Sequence, residues 1–260
     1  MPTTIKNIEG LFKNCKSILE FEQRANLFYN FFQEQEVNGE IKLTSTEIDD
    51  IEITNYNSLF EGCSSLIYIP ASFKVLSTVT ELKNTFKDCQ SLNKISFSLT
   101  NNTINLESCF HNCISLTEIG NTFTFSQKTK NLKSVFENCS SLREIPDTLW
   151  PNPEFELETT IDFSNAFANC TSASGTVPMY KLWYGEVYWN PSNTNAFAGC
   201  ENLTNYNYIP INWGGEGEAY TNLDFELTIP EDDKNRTFAL PIHKTYTAYD
   251  FQVTTNNKKS

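Results

Sequence analysis

Apolar residues along this chain recur in a fixed frame around cysteine. Cys15, Cys63, Cys89, Cys113, Cys139, Cys170 and Cys200 each have a phenylalanine three residues earlier, namely Phe12, Phe60, Phe86, Phe110, Phe136, Phe167 and Phe197. Three residues after the cysteine stand Ile18, Leu66, Leu92, Leu116, Leu142, Ala173 and Leu203. Six residues after it stand Phe21, Ile69, Ile95, Ile119, Ile145, Thr176 and Tyr206. Seven residues before it the chain is again apolar, at Ile8, Tyr56, Leu82, Leu106, Leu132 and Phe163, with Asn193 the exception. The motif is F-x-x-C-x-S-L-x-x-I, and its cysteines are separated by 48, 26, 24, 26, 31 and 30 residues. Self-similarity at such a period is the signature of a stacked repeat architecture.

Polar positions inside the motif predict its local shape. The residue before each cysteine is Asn14, Gly62, Asp88, Asn112, Asn138, Asn169 or Gly199, the types that best tolerate a left-handed backbone where a helical turn ends. Two residues after the cysteine come Ser17, Ser65, Ser91, Ser115, Ser141, Ser172 and Asn202, whose short side chains can bond back to the backbone at a bend. The expected unit is a helical turn carrying Phe, a tight corner at Cys, then a short strand carrying Leu and Ile. A unit of 24–26 residues cannot bury its own apolar face, but stacked units share one core. Phe, Cys, Leu and Ile then form inward ladders, with each large side chain contributing roughly 1.5–3 kcal/mol on burial.

Segments such as LFEGCSSLIYIP (59–70), TFKDCQSLNKI (85–95) and VFENCSSLREIP (135–146) resemble the BspA-type leucine-rich repeat of bacterial, protist and viral surface proteins. The resemblance spans roughly residues 5–210 and implies an α/β repeat solenoid. That fold is a right-handed, leucine-rich-repeat-type coil with short parallel strands and short helical turns, associated with adhesion and protein binding. The first separation equals two periods without a Phe or Cys midway. Residues 20–37 therefore read as a longer helix in place of a lost copy, making residues 1–50 an atypical first unit or cap.

The motif ends near Pro210, so residues 1–212 are assigned to the solenoid and 213–260 to a C-terminal β segment. There, LDFELTI (223–229), TFALPI (237–242) and YDFQV (249–253) alternate as strands do. Solenoids need their open ends closed, which favours a β cap. TFALPI and YDFQV also resemble the start of a small β domain that accompanies such repeats, but TTNNKKS follows here in place of its usual Trp-Gly-Asp-Gly turn.

Composition narrows the function. Asp and Glu number 32 against 19 Lys and Arg, a net charge of −13, which disfavours nucleic acid and anionic membranes as partners. No apolar run approaches the ~18–20 residues of a membrane span, and the N-terminus lacks the apolar core of a secretory signal. The repeat cysteines read first as small buried hydrophobes, with disulfides between adjacent rungs or thiol chemistry as the alternatives. Cys109, His111 and Cys113 resemble a metal cluster only superficially, because zinc needs about four ligands. Cys109 reads instead as filling the variable position beside Phe110. The two histidines, His111 and His243, stand in unrelated contexts, and no catalytic signature is found. Neither a catalytic site nor a metal or cofactor is expected.

Two sets of residues remain as a candidate binding surface. Glu20, Tyr68, Lys94, Glu118 and Glu144 flank the inward Ile and should face outward on the strands. Trp183, Tyr184, Tyr188 and Trp189, in the aromatic run KLWYGEVYWN (181–190), could form a stacking platform or could simply pack on the solenoid flank. The expected function is non-enzymatic protein binding or adhesion, at a cell surface or outside the cell, with a protein or glycan ligand. The alternative is a structural component of a virion or appendage.

Overall fold

The computed structural model describes residues 7–18, 53–69, 73–150, 161–177 and 194–217 in full, and the backbone of 33–37 and 40–44. The chain divides into two compact units, Met1–Tyr220 and Thr221–Ser260. The second unit lies outside the described residues, as do the three C-terminal segments expected to be strands. The expected boundary after residue 212 falls inside the first unit, because Trp213 is buried in its core.

The F-x-x-C segment differs from the helical turn expected of it. There is no α-helix among the described residues, and the segment is a ribbon of overlapping turns. In the coil around Cys63, the N–H groups of Leu59, Glu61 and Cys63 each bond the carbonyl three residues back, on Tyr56, Ser58 and Phe60. The intervening N–H groups, of Tyr56, Ser58, Phe60 and Gly62, point along the stack. They donate to the carbonyls of Glu81, Lys83, Thr85 and Lys87 in the next coil at 2.8–2.9 Å. Both sets of backbone donors are thus satisfied, one within the coil and the other between coils.

This alternation requires two left-handed residues per coil. One is the residue before the cysteine, with φ between 59° and 79° in all seven copies. The other lies four residues earlier, at Gly10, Ser58, Asn84, Ser108, Ser134, Asn165 and Asn195, with φ between 54° and 62°. Each is the third residue of a three-bond-closed turn, where a positive φ is characteristic of type II geometry. Because the ribbon is not a helix, two consecutive side chains face inward. Leu59, Thr85, Cys109, Val135, Ala166 and Ala196, next to the motif phenylalanines, are as buried as the phenylalanines themselves.

Two parallel lines of bridges flank the ribbon. One joins Asn55, Glu81, Asn105, Asn131 and Asp162. The other joins Tyr68 to Lys94, and continues through β3 (Lys94–Ile95) and β4 (Glu118–Ile119). Another pair of short strands, β1 (Gln33–Val37) and β2 (Glu40–Thr44), forms an antiparallel hairpin. The helix expected over 20–37 therefore does not extend through 33–37, and residues 20–32 lie outside the described residues. Nor is a copy missing from the stack. Gly10, Phe12 and Asn14 donate directly to Asn57, Leu59 and Glu61, so the coils of Cys15 and Cys63 are adjacent in the stack.

The core is an aromatic column. Phe12, Phe60, Phe86, Phe110, Phe136, Phe167 and Phe197 stack in sequence with centroids 5.2–5.7 Å apart and ring planes within 21° of parallel. Trp213 continues the column beyond Phe197 at 6.2 Å and 6°. A second column runs through Phe73, Phe97 and Phe123, edge-on to one another at 5.1 and 5.5 Å. Such pairs contribute about 0.5–1.5 kcal/mol beyond their area. Phe12 and Cys15, at the start of the column, are only half-buried, whereas the remaining motif Phe and Cys residues are fully buried.

Two stability changes follow. Phe110→Ala removes a ring that contacts Phe86, Phe97, Phe123 and Phe136, and should cost about 3–5 kcal/mol in urea melts. At Gly199, φ is +79° and an added Cβ would lie 2.9 Å from Asn169 Oδ1 and 3.3 Å from Asn169 Cα. Gly199→Ala should therefore cost about 1–3 kcal/mol in the same assay.

Candidate binding surface

Each repeat cysteine after the first is held by the coil before it. The thiol of Cys63 donates to the carbonyl of Phe12 at 3.0 Å. Cys89, Cys113, Cys139, Cys170 and Cys200 donate likewise to Phe60, Phe86, Phe110, Phe136 and Phe167 at 3.1–3.2 Å. The cysteine is thus a hydrogen-bonding rung as well as a small hydrophobe. All eight cysteines are free thiols. Burial pushes the Cys63 thiol up to about 11 and those of Cys89, Cys109, Cys113, Cys139 and Cys170 higher still. A thiol with so high a pKa is protonated at neutral pH and is a poor nucleophile or metal ligand. Among the described residues, no three His, Cys, Asp or Glu side chains converge to hold a metal ion. Nor is any helix there long and apolar enough to cross a membrane.

Of the expected surface residues, Tyr68, Lys94, Glu118 and Glu144 lie in one row on successive rungs. Parallel bridges join Tyr68 to Lys94 and Lys94 to Glu118, and the row continues because Arg143 N–H donates to the Thr117 carbonyl at 3.3 Å. Tyr68 and Lys94 are partly exposed, and Glu118 and Glu144 are exposed. Lys94 Nζ pairs with Glu118 Oε1 at 2.6 Å. Such exposed pairs contribute little to stability, so both charges stay accessible to a partner. Ile67, beside Tyr68, is an exposed apolar side chain in this region that the repeat frame did not single out. Glu20, Trp183, Tyr184, Tyr188 and Trp189 lie outside the described residues.

A parallel bridge carries the row from Glu144 to the exposed Ser174, after which the repeat departs from its pattern. After Cys170 the chain turns at Gly175, with φ of +85°. Thr176 is then exposed, and Val177 takes the buried place. Asn205, in the next coil, is buried and bonds both the N–H and the carbonyl of Val177 at 3.0 Å. The same coil position that faces outward at Tyr68 and Lys94 is therefore closed inward at Asn205.

The opposite line of bridges is more self-contained. Asn55, Asn105, Asn131 and Asp162 each turn a side-chain oxygen onto the N–H two residues on, at 2.9–3.2 Å. This recurrent Asx turn occupies the position eight before the cysteine, and its Asn/Asp bias could have been read from the sequence. Charges on this side pair between coils, Lys13 with Glu61 at 2.9 Å and Lys83 with Glu107 at 3.0 Å. The fully described segments carry twelve Asp and Glu against ten Lys and Arg. Most of the chain's net charge of −13 therefore resides outside them, and the surface of the stack is close to neutral.

Comparison with curated proteins found no match, and comparison with solved structures found none. A family model described as "Mycoplasma protein of unknown function, DUF285" matches residues 7–150. That span runs from the first coil through the fifth and covers more than half of the 260 residues. The chain belongs to the DUF285 family.

Proposed function

We propose that the stacked coils form a right-handed, leucine-rich-repeat-type solenoid of the BspA kind, serving as a non-enzymatic protein-binding or adhesion module at a cell surface or outside the cell. The observation that carries this reading is the row Tyr68, Lys94, Glu118 and Glu144. It sets mixed aromatic and charged chemistry on successive rungs fixed by backbone bridges and, between the last two, a backbone hydrogen bond. Such an arrangement is rigid before any partner arrives, so little ordering entropy opposes binding. Burial, and the raised pKa it gives Cys63, Cys89, Cys109, Cys113, Cys139 and Cys170, support a structural rather than a chemical role for these cysteines. Outward rows of repeat proteins form extended binding surfaces, and the motif resemblance favours a protein ligand.

The test combines light scattering with site-specific photo-crosslinking in the presence of candidate surface proteins. Crosslinkers at positions 94 and 118 should capture a partner. Crosslinkers at positions 83 and 133, on the opposite line, should not. Lys94→Glu together with Glu118→Lys should weaken binding at least about tenfold, or roughly 1.4 kcal/mol, with the fold intact. Equal capture from both lines, or obligate self-assembly of the chain, would count against recognition and favour a permanently packed structural subunit.

A further inference from the structure

The two ends of the described stack differ in a way that defines a docking edge. Along the F-x-x-C ribbon, the earlier coil supplies N–H donors and the later coil supplies carbonyls six, four and two residues before its cysteine, with a fourth at position eight in the contacts made by the coils of Cys63, Cys89, Cys113 and Cys139. In the first coil these carbonyls belong to Asn7, Glu9, Leu11 and Lys13. Among the described residues none of these carbonyls accepts a hydrogen bond, although the Lys13 ammonium pairs with Glu61 of the next coil. Leu11 is 53% exposed, although the corresponding residues in the other six coils are fully buried. Among the described residues, Phe12 stacks on Phe60 through one face only, and Cys15 alone of the repeat cysteines has no carbonyl for its thiol.

The occupant that satisfies all of these groups is already seen six times within the molecule: the donor side of another F-x-x-C coil. Its alternate N–H groups would meet the four carbonyls. Its Phe would stack on Phe12, and that residue's carbonyl would accept the Cys15 thiol. A second copy of this chain cannot supply that side. Its last coil is closed by its own residues, with Asn195 and Phe197 N–H bound to the Asn212 and Trp213 carbonyls and Trp213 stacked on Phe197. Two first coils face to face would oppose carbonyl to carbonyl.

We infer that the first coil is an elongation face that accepts, by backbone pairing, a coil of the same repeat type presented by a different polypeptide with an open donor end.

The probe is a synthetic two-coil peptide with the sequence of residues 79–120, whose second coil presents the N–H groups of Leu106, Ser108, Phe110 and Asn112. Added to the full chain, it should bind one to one and slow maleimide labelling of Cys15 by at least about tenfold. Leu11→Asp, and the milder Leu11→Ser, should abolish both effects, because the side chain is exposed and neither change disturbs the folded chain. Ile67→Asp, on the flank, should leave both unchanged. Three results would overturn the inference. One is no binding, or equal binding to the Leu11 variants. Another is Cys15 as unreactive in the free chain as the buried thiols, which would mean the chain covers its own edge. The last is self-association of the free chain that Leu11→Asp abolishes, which would make a second copy the occupant.

Discussion

Alternate N–H groups of each F-x-x-C ribbon point along the stack, four of them in the coils of Cys63, Cys89, Cys113 and Cys139, and the rest of the structure depends on where they go. A turn ribbon that bonded every N–H internally would gain no backbone hydrogen bonds by stacking and would have only apolar burial to set its register. One that bonded none would leave buried donors orphaned, at about 1–3 kcal/mol each. The observed ribbon divides them, with alternate N–H groups closing turns and the others reaching the next coil. That division demands left-handed backbone at two positions per coil, which in turn restricts those positions to Gly, Asn, Asp and Ser. It also brings successive phenylalanines into face-to-face register and places each cysteine under the carbonyl of the preceding Phe. Ring column, thiol ladder and turn residues are therefore consequences of one backbone pattern.

The polarity of that pattern gives the molecule a direction. Along the ribbon, donors leave one side of each coil and acceptors occupy the other, while the flanking lines and the thiols donate in the reverse sense, so the two ends are chemically different. At the end after Cys200, the chain folds back through Ile211–Trp213 and supplies both carbonyls and a ring. Trp213 is thus a capping residue in the same sense that a helix cap is: it satisfies groups that the next repeat would otherwise have met. Closure at that end also prevents the chain from adding to itself head to tail, the heterologous contact that yields open filaments.

Much of this was legible in the sequence, and the parts that were not have identifiable reasons. The Phe–Cys frame and the left-handed residue before Cys stand out because few residue types fit those positions. The second left-handed position was overlooked because Ser58, Ser108 and Ser134 read as ordinary polar residues rather than as Gly or Asn. The inward place of Cys109 and Val135 was obscured by the expectation of a helical turn, in which neighbouring side chains point in different directions. Phe73, Phe97 and Phe123 stand ten, eight and ten residues after Cys63, Cys89 and Cys113, so a frame counted forward from the cysteine does not contain them. Counted back from the following cysteine, all three fall sixteen residues before it. On the candidate surface, spacing alone placed Tyr68, Lys94, Glu118 and Glu144 in one row. The inward closure at Asn205 depends on the bend at Gly175, which no periodic frame contains.

The uneven spacing of the cysteines has an energetic explanation. Separations range from 24 to 48 residues, yet ring contacts along the column stay within 5.2–5.7 Å. The coil needs only the residues from the bridge before Phe to the strand after Leu, and everything between one strand and the next bridge can lengthen. Doubling a loop costs about 0.6 kcal/mol in closure entropy, whereas a single buried Phe contributes roughly 1.5–3 kcal/mol. A coil therefore retains its place in the stack even across the 34 residues from 19 to 52. Insertions concentrate where the backbone pattern ends, which frees those segments to vary while the rungs that carry the outward row stay in register.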